Sequence, residues 1–159
     1  MDSEIKRTFR EYTWSYFALH ADQRIKTFNF FLIVAGLLAG GITTLLKDNG
    51  YARWVSPFGV LLTILSFVFW KLDDRNKQLV KNAEEAIKYL DSQEGLADQG
   101  QNPHVLKMFD RDDYLTKGRS MFPLVYGHFS YSTCFGLVFW FFGLLGLFFA
   151  VASFFVTKL

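Results

Sequence analysis

The sequence predicts an all-α integral membrane protein with three transmembrane helices, the first two extended into the cytoplasm as long helices. Apolar runs predict the spans. Residues 27–46, "TFNFFLIVAGLLAGGITTLL", carry no charge, and residues 54–72, "WVSPFGVLLTILSFVFWKL", carry none before Lys71. The third run lies within residues 132–157, "STCFGLVFWFFGLLGLFFAVASFFVT". Each reaches the roughly 20 apolar residues that cross a hydrocarbon core. Chain length supports the same conclusion, because three such runs in 159 residues leave too little polar sequence to cover them as buried core helices. Helical periodicity on both sides of the first two runs predicts the long extensions.

Composition removes several alternatives. Phe supplies 19 residues and Trp 4, yet the net charge is only +2, so no global basic field marks a nucleic-acid binder. One cysteine, Cys134, permits neither an internal disulfide nor a thiolate zinc site. The opening "MDSEIKRTFREYTW" lacks the short apolar core of a signal peptide.

The chain is expected to divide into a long-helix hairpin over residues 1–95, a linker with a short helix over 96–119, and a lead-in with the third span over 120–159. In the N-terminal segment Phe9, Tyr12, Tyr16, Leu19 and His20 recur at helical spacing, with Glu4, Arg7, Glu11 and Asp22 elsewhere. No Pro or Gly interrupts it before Val34, so one helix runs directly into span one, with Asp2 or Ser3 as N-cap. Arg24 and Lys26 sit at the boundary, placed to reach lipid headgroups. Within span one, Gly36 and Gly40 form GxxxG beside Ala35 and Ala39, a close-packing signature within or between subunits. Asn29 lies about one turn inside the span, where an amide bonds another helix or lines a wet cavity. Thr43, Thr44, Thr63 and Ser66 offer hydroxyls that also bond their own helices.

After the hairpin "KDNGYAR" and span two, Leu72, Asn76, Leu79, Ala83, Ala86 and Leu90 follow 4-3-4-3-4 spacing, a coiled-coil pattern over residues 72–94. Val80 and Ile87 widen the stripe, and Asp73 with Lys77 and Glu84 with Lys88 place acid four residues before base on its outer face. So short a run requires a partner: the aromatic stripe of the N-terminal helix, or the same helix in a neighbouring subunit. The helix is expected to end near Gly95, followed by the loop "LADQGQNPH". A short helix then covers "HVLKMFDRDDYL", with Gly118 as its stop. Residues 121–133, "MFPLVYGHFSYST", are short for a span and contain Pro123, so they read as an interfacial lead-in to a third span at about 134–156.

Lys and Arg concentrate before span one and between spans two and three, which directs those segments and the N-terminus to the cytoplasm. Trp54 and Trp70 fall at span ends as interfacial anchors, and Trp140 joins them if span three begins late.

No catalytic constellation is visible, and the chain is expected to be no enzyme and to need no cofactor. There is no phosphate loop, dinucleotide fingerprint or HExxH. His20, His104 and His128 have no second His at ligand spacing. Asp110, Asp112 and Asp113 lack the order of a calcium loop and read as a solvated face. Arg119 and His128 are too far apart for the Arg–His pair of a HEPN-type RNase. Cys134 reads as a small residue in a helix interface rather than an acylation site.

A charged aromatic helix entering span one, a short hairpin, and a second span continuing as a long charged helix together resemble the SLATT class of bacterial two-span effectors. The entry "QRIKTFNFF" is also similar to the RipA-type small membrane proteins, which assemble as rings. Both resemblances cover roughly residues 5–92, and the third span departs from a two-span unit. They imply a homo-oligomeric inner-membrane protein acting in phage defence or stress response, with membrane lipids and further copies of itself as partners. The leading functional expectation is therefore an oligomeric effector or pore-like assembly gated from the cytoplasm. The alternative is a non-conducting scaffold that docks a cytoplasmic protein through its helical extensions. A lipid-modifying enzyme lacks the acid/base pair it needs.

Overall fold

The computed structural model describes residues 3–47, 53–94, 102–117 and 131–156. Every regular element among them is a helix: α1 Ser3–Lys47, α2 Val55–Ser92, α3 Met108–Lys117 and α4 Tyr131–Val156. Three of them, α1, α2 and α4, contain windows long and apolar enough to cross a membrane. The fold class is thus all-α with three candidate spans, as the apolar runs require.

α1 is unbroken over 45 residues, because no Pro interrupts it and its glycines lie where apolar side chains on either side sustain the helix. α2 runs for 38 residues, and its Pro57 sits in the first turn, where an amide N–H would have no intrahelical partner. α4 begins at Tyr131, so the last residues of the expected lead-in belong to the helix. The remainder of that lead-in, the hairpin tip at 48–52, Asp2, Gly95, Gly118, Arg119 and His128 lie outside the described residues.

Packing divides the chain into two units, Arg24–Arg75 with Ser130–Leu159, and Met1–Gln23 with Asn76–Phe129. The first is a three-helix bundle. Its core joins Phe31, Ala35 and Ile42 of α1, Val55 and Leu62 of α2, and Phe135 and Phe139 of α4. Phe31 is the hub, with ring centroids 5.4 Å from Phe69, 4.8 Å from Phe139 and 5.7 Å from Phe142. Phe28 stacks on Phe135 at 3.8 Å. Ring contacts this close hold by dispersion and close fit.

The closest approach in the bundle is glycine against glycine. A Cβ on Gly59 would lie 2.6 Å from the Gly146 carbonyl oxygen, and one on Gly146 would lie 2.7 Å from the Gly59 oxygen. Backbones this near admit no side chain at either position. Hydroxyls complete the seam: Ser56 donates to the Ala150 carbonyl at 3.3 Å, and Thr63 to the Gly143 carbonyl at 3.2 Å.

The second unit combines the N-terminal turns of α1, the C-terminal half of α2, and α3. Thr13, Ala83, Ile87 and Leu90 are buried in it. Arg10 donates to Asp91 at 3.1 Å and to Glu94 at 2.7 Å, and Phe17 meets the edge of Phe109 at 5.3 Å. The Ser92 hydroxyl accepts no helix continuation; it donates to the Tyr89 carbonyl at 2.7 Å, and α2 stops there.

Several expectations are corrected. The α2 stripe keeps Asn76, Ala83 and Leu90 but takes Asp73 in place of Leu72 and Ile87 in place of Ala86. Its inward positions are Val55, Gly59, Leu62, Ser66, Phe69, Asp73, Asn76, Val80, Ala83, Ile87 and Leu90, a single heptad register along the whole helix. Leu72 is exposed, and Leu79 and Ala86 flank the seam rather than form it. Asp73 is inward, bonded to Arg24, instead of outward beside Lys77. On α1 the inward residues are Arg10, Thr13 and Phe17; of the expected stripe, Phe9, Tyr12 and Leu19 are exposed, and Tyr16 and His20 are half-buried. α3 starts at Met108, later than expected, because residues after Pro103 form a turn in which Lys107 N–H donates to the His104 carbonyl at 2.9 Å. Cys134 is exposed and fills no interface in the single chain.

Candidate functional site

The structure offers two polar features where membrane chemistry is possible: the outward face of α1 and an ion pair at the start of the three-helix bundle.

Asn29, Ile33, Gly36, Gly40 and Thr43 follow 4-3-4-3 spacing on α1 and are all exposed. No atom comes within 4 Å of a Cβ built on Gly36 or Gly40. Among the described residues the GxxxG groove is therefore not used by the chain's own helices, and α2 and α4 meet instead at Gly59 and Gly146. The Asn29 side chain has no hydrogen-bond partner among the described residues. Thr43 and Thr44 donate to the Ala39 and Gly40 carbonyls at 2.9 and 3.0 Å, so their hydroxyl donors are spent on their own helix.

Arg24 does not stand alone at the boundary. Its Nε donates to Asp73 Oδ1 at 2.6 Å, and its Nη2 donates to Asp73 Oδ2 at 3.0 Å and to Ser132 Oγ at 2.9 Å. The guanidinium also lies 5.2 Å from the Phe135 ring centre. One side chain from α1 thus engages both α2 and α4. Planar, five-donor Arg suits this fork, and Lys would satisfy only part of it. Lys26, two residues on, is exposed on the opposite side of the helix.

Outside the spans, Lys88 gathers three carboxylates: Glu84 at 3.0 Å, Asp113 at 2.5 Å and Asp110 at 4.0 Å. Burial works against its charge, but hydrogen bonds to Asp113 and Glu84 outweigh it and hold the pKa above the ordinary 10.5. Asp91 is raised above 3.8, chiefly by burial, with Arg10 opposing. His20 lies edge-on to Tyr16 at 4.3 Å and pairs with Gln23 at 3.0 Å. Among the described residues no group of three or more His, Cys, Asp or Glu is placed to hold a metal ion. Every buried side-chain nitrogen or oxygen there has a partner.

Of the residues singled out in the sequence, the structure brings Asn29, Gly36 and Gly40 onto one exposed face. Ala83 and Leu90 are buried in the second unit, and Leu79 and Ala86 lie at its margin. Sequence reasoning missed the inward role of Asp73, and it missed Ser132 and Gly59. A signal existed for Asp73, an acid at the end of an apolar run level with the basic start of span one. None existed for pairing Gly59 with Gly146, which requires knowing the crossing point.

Together these features define a class: an all-helical protein with three helices long and apolar enough to cross a membrane, held together by polar contacts between its helices. A particular relative extends this. The chain is 46% identical over 94 residues to CD-NTase-associated protein 19 of Escherichia coli, an alignment covering 58% of this chain and 62% of that protein. The match therefore spans about three fifths of the relative's length. No protein-family model and no solved structure matches the chain.

Proposed function

We propose that the chain is a homo-oligomeric effector of the bacterial inner membrane, acting in phage defence and perturbing the bilayer when triggered from the cytoplasm. The observation that carries this is the outward face of α1. An amide at Asn29 facing lipid without a partner is unfavourable, and a Gly36–Gly40 groove with nothing in it forgoes close packing. A second copy of α1 answers both, its backbone entering the groove and its amide bonding Asn29. The charge distribution orients the N-terminus and the long middle segment inward. The E. coli relative bears a name that associates it with a CD-NTase, and we carry that association to this chain.

The test pairs the mass of the purified complex in detergent with dye leakage from vesicles. The unaltered chain should form an oligomer and release dye, and Asn29→Leu and Gly36→Leu should reduce both. A monomeric mass for the unaltered chain, or leakage indifferent to both substitutions, would overturn the reading.

A second reading has its own support. Ile5, Phe9, Tyr12 and Leu19 form an exposed apolar stripe on the polar half of α1. In a non-conducting scaffold this stripe docks a cytoplasmic protein. Tyr12→Glu would then abolish co-purification of that protein and leave bilayer permeability unchanged. A partner retained by Tyr12→Glu counts against the scaffold.

A further inference from the structure

A groove of about 290 Å³ runs along the outer side of the bundle between α2 and α4. Thr63, Ser66 and Gly143 form its floor, Leu147 also lines it, and Trp70 and Trp140 line the end beside Lys71. We propose that it holds one acyl chain of an anionic phospholipid, whose phosphate is held by Lys71. The inference rests on the reading that α2 and α4 are membrane spans.

Chemistry of the lining comes first. No charged side chain faces the groove. The hydroxyl donors on its floor are spent: Thr63 bonds the Gly59 and Gly143 carbonyls, and Ser66 bonds the Leu62 carbonyl at 2.8 Å. The floor therefore offers a ligand apolar contact and no donor. The volume sits at the bottom of the roughly 300–1,000 Å³ range of small-molecule pockets, which suits a single chain better than a ring system. Gly143 lines the groove without a side chain, and a Cβ there would touch Ser66 Cβ at 3.5 Å, so a larger side chain at this position would take up part of the groove.

The mouth supplies the charge. Trp70 and Trp140 lie 6.0 Å apart at one end, and the Lys71 ammonium sits 4.6 Å from the Trp70 ring centre. Lys71 has no carboxylate partner among the described residues. Close by in sequence, Asp73 is bound by Arg24, and the other charges from Lys71 to Lys77 are Lys71, Asp74, Arg75 and Lys77, which leaves the segment net positive. A second copy packed here would bring no counter-charge from its own α2 or α4 spans, because no Asp or Glu occurs over residues 49–72 or 114–159. A phospholipid joins both requirements in one molecule, an anion at headgroup depth and an apolar chain beneath it.

The experiment is native mass spectrometry of the full chain in detergent, titrated with phosphatidylglycerol or phosphatidylcholine of identical acyl chains. The unaltered chain should retain several-fold more phosphatidylglycerol. Lys71→Gln should bring the two lipids to parity, and Gly143→Leu should lower retention of both several-fold. If Gly143→Leu does not fold, quenching of Trp70 and Trp140 in a Trp14→Phe/Trp54→Phe background replaces it. Chain-brominated phosphatidylglycerol should then quench more strongly than the brominated phosphatidylcholine. Equal retention or equal quenching by the two lipids overturns the proposal. So does a Gly143→Leu variant that loses oligomer mass while keeping its lipid, which would assign the groove to a second copy. The oligomer reading fails separately, through Asn29 and Gly36, which lie on α1 away from Lys71 and Gly143 in sequence.

Discussion

Arg24 grips Asp73 with two hydrogen bonds, Nε to Oδ1 at 2.6 Å and Nη2 to Oδ2 at 3.0 Å, and 49 residues of chain separate them. Both side chains are largely enclosed, at 14% and 10% exposure. Removing one partner of such a pair leaves a desolvated charge, at a cost of about 3–5 kcal/mol. Arg24→Ala should therefore lower the thermal midpoint in detergent sharply. Arg24→Lys should be intermediate, keeping charge but losing the fork. Exchanging the two residues (Arg24→Asp with Asp73→Arg) should recover part of the loss. No recovery in the exchanged variant would mean that geometry, not charge pairing, carries the stability.

Two pairs of glycines should behave oppositely. Gly146→Leu forces a side chain into the Gly59 backbone and should destabilise the bundle by at least about 1–3 kcal/mol. Gly36→Leu meets nothing within the chain, so its own unfolding midpoint should hold while oligomer mass falls. Thermal melts and mass measurements on the two variants separate internal packing from subunit packing. A stable Gly146→Leu would place the true helix crossing elsewhere.

Phe31 touches three other rings and is 1% exposed. Phe31→Ala should cost at the low end of the usual range of about 3–5 kcal/mol for such truncations, because the transfer share of that range is absent between helices in lipid. Phe30→Ala, on the exposed side, should cost far less. The comparison is read from denaturation in mixed micelles.

Lys88 makes the second unit sensitive to alkali. Its pKa is raised in the folded state, so its contribution is fully present below 10.5 and is lost as pH rises through the higher folded value. The stability difference between the unaltered chain and Lys88→Gln should thus shrink above pH 10.5 and stay level below it. Asp91, raised above 3.8, has the same sign at the acid end. There the unaltered chain should gain relative to Asp91→Asn as pH falls toward 3.8. Melting curves across both windows check the two signs.

The sequence by itself determined the number of apolar helices and where each lies, because length and hydropathy are local and the bilayer criterion is one-dimensional. It also determined the continuity of α1, which follows from the absence of Pro and Gly before Val34. The i,i+4 pair of Glu84 with Lys88 was legible for the same reason. Only the tertiary structure decided which faces meet. Leu72 and Asp73 are adjacent, and a turn of 100° chooses between them; Arg24 and Ser132, distant in sequence, tip the choice to Asp73. The glycines show the same limit. Gly36–Gly40 and Gly59–Gly146 look alike as small residues in apolar runs, yet one pair faces outward and the other carries the crossing of α2 and α4. Rotation about a helix axis and the point where two axes cross are properties of pairs of helices, and no local pattern encodes them.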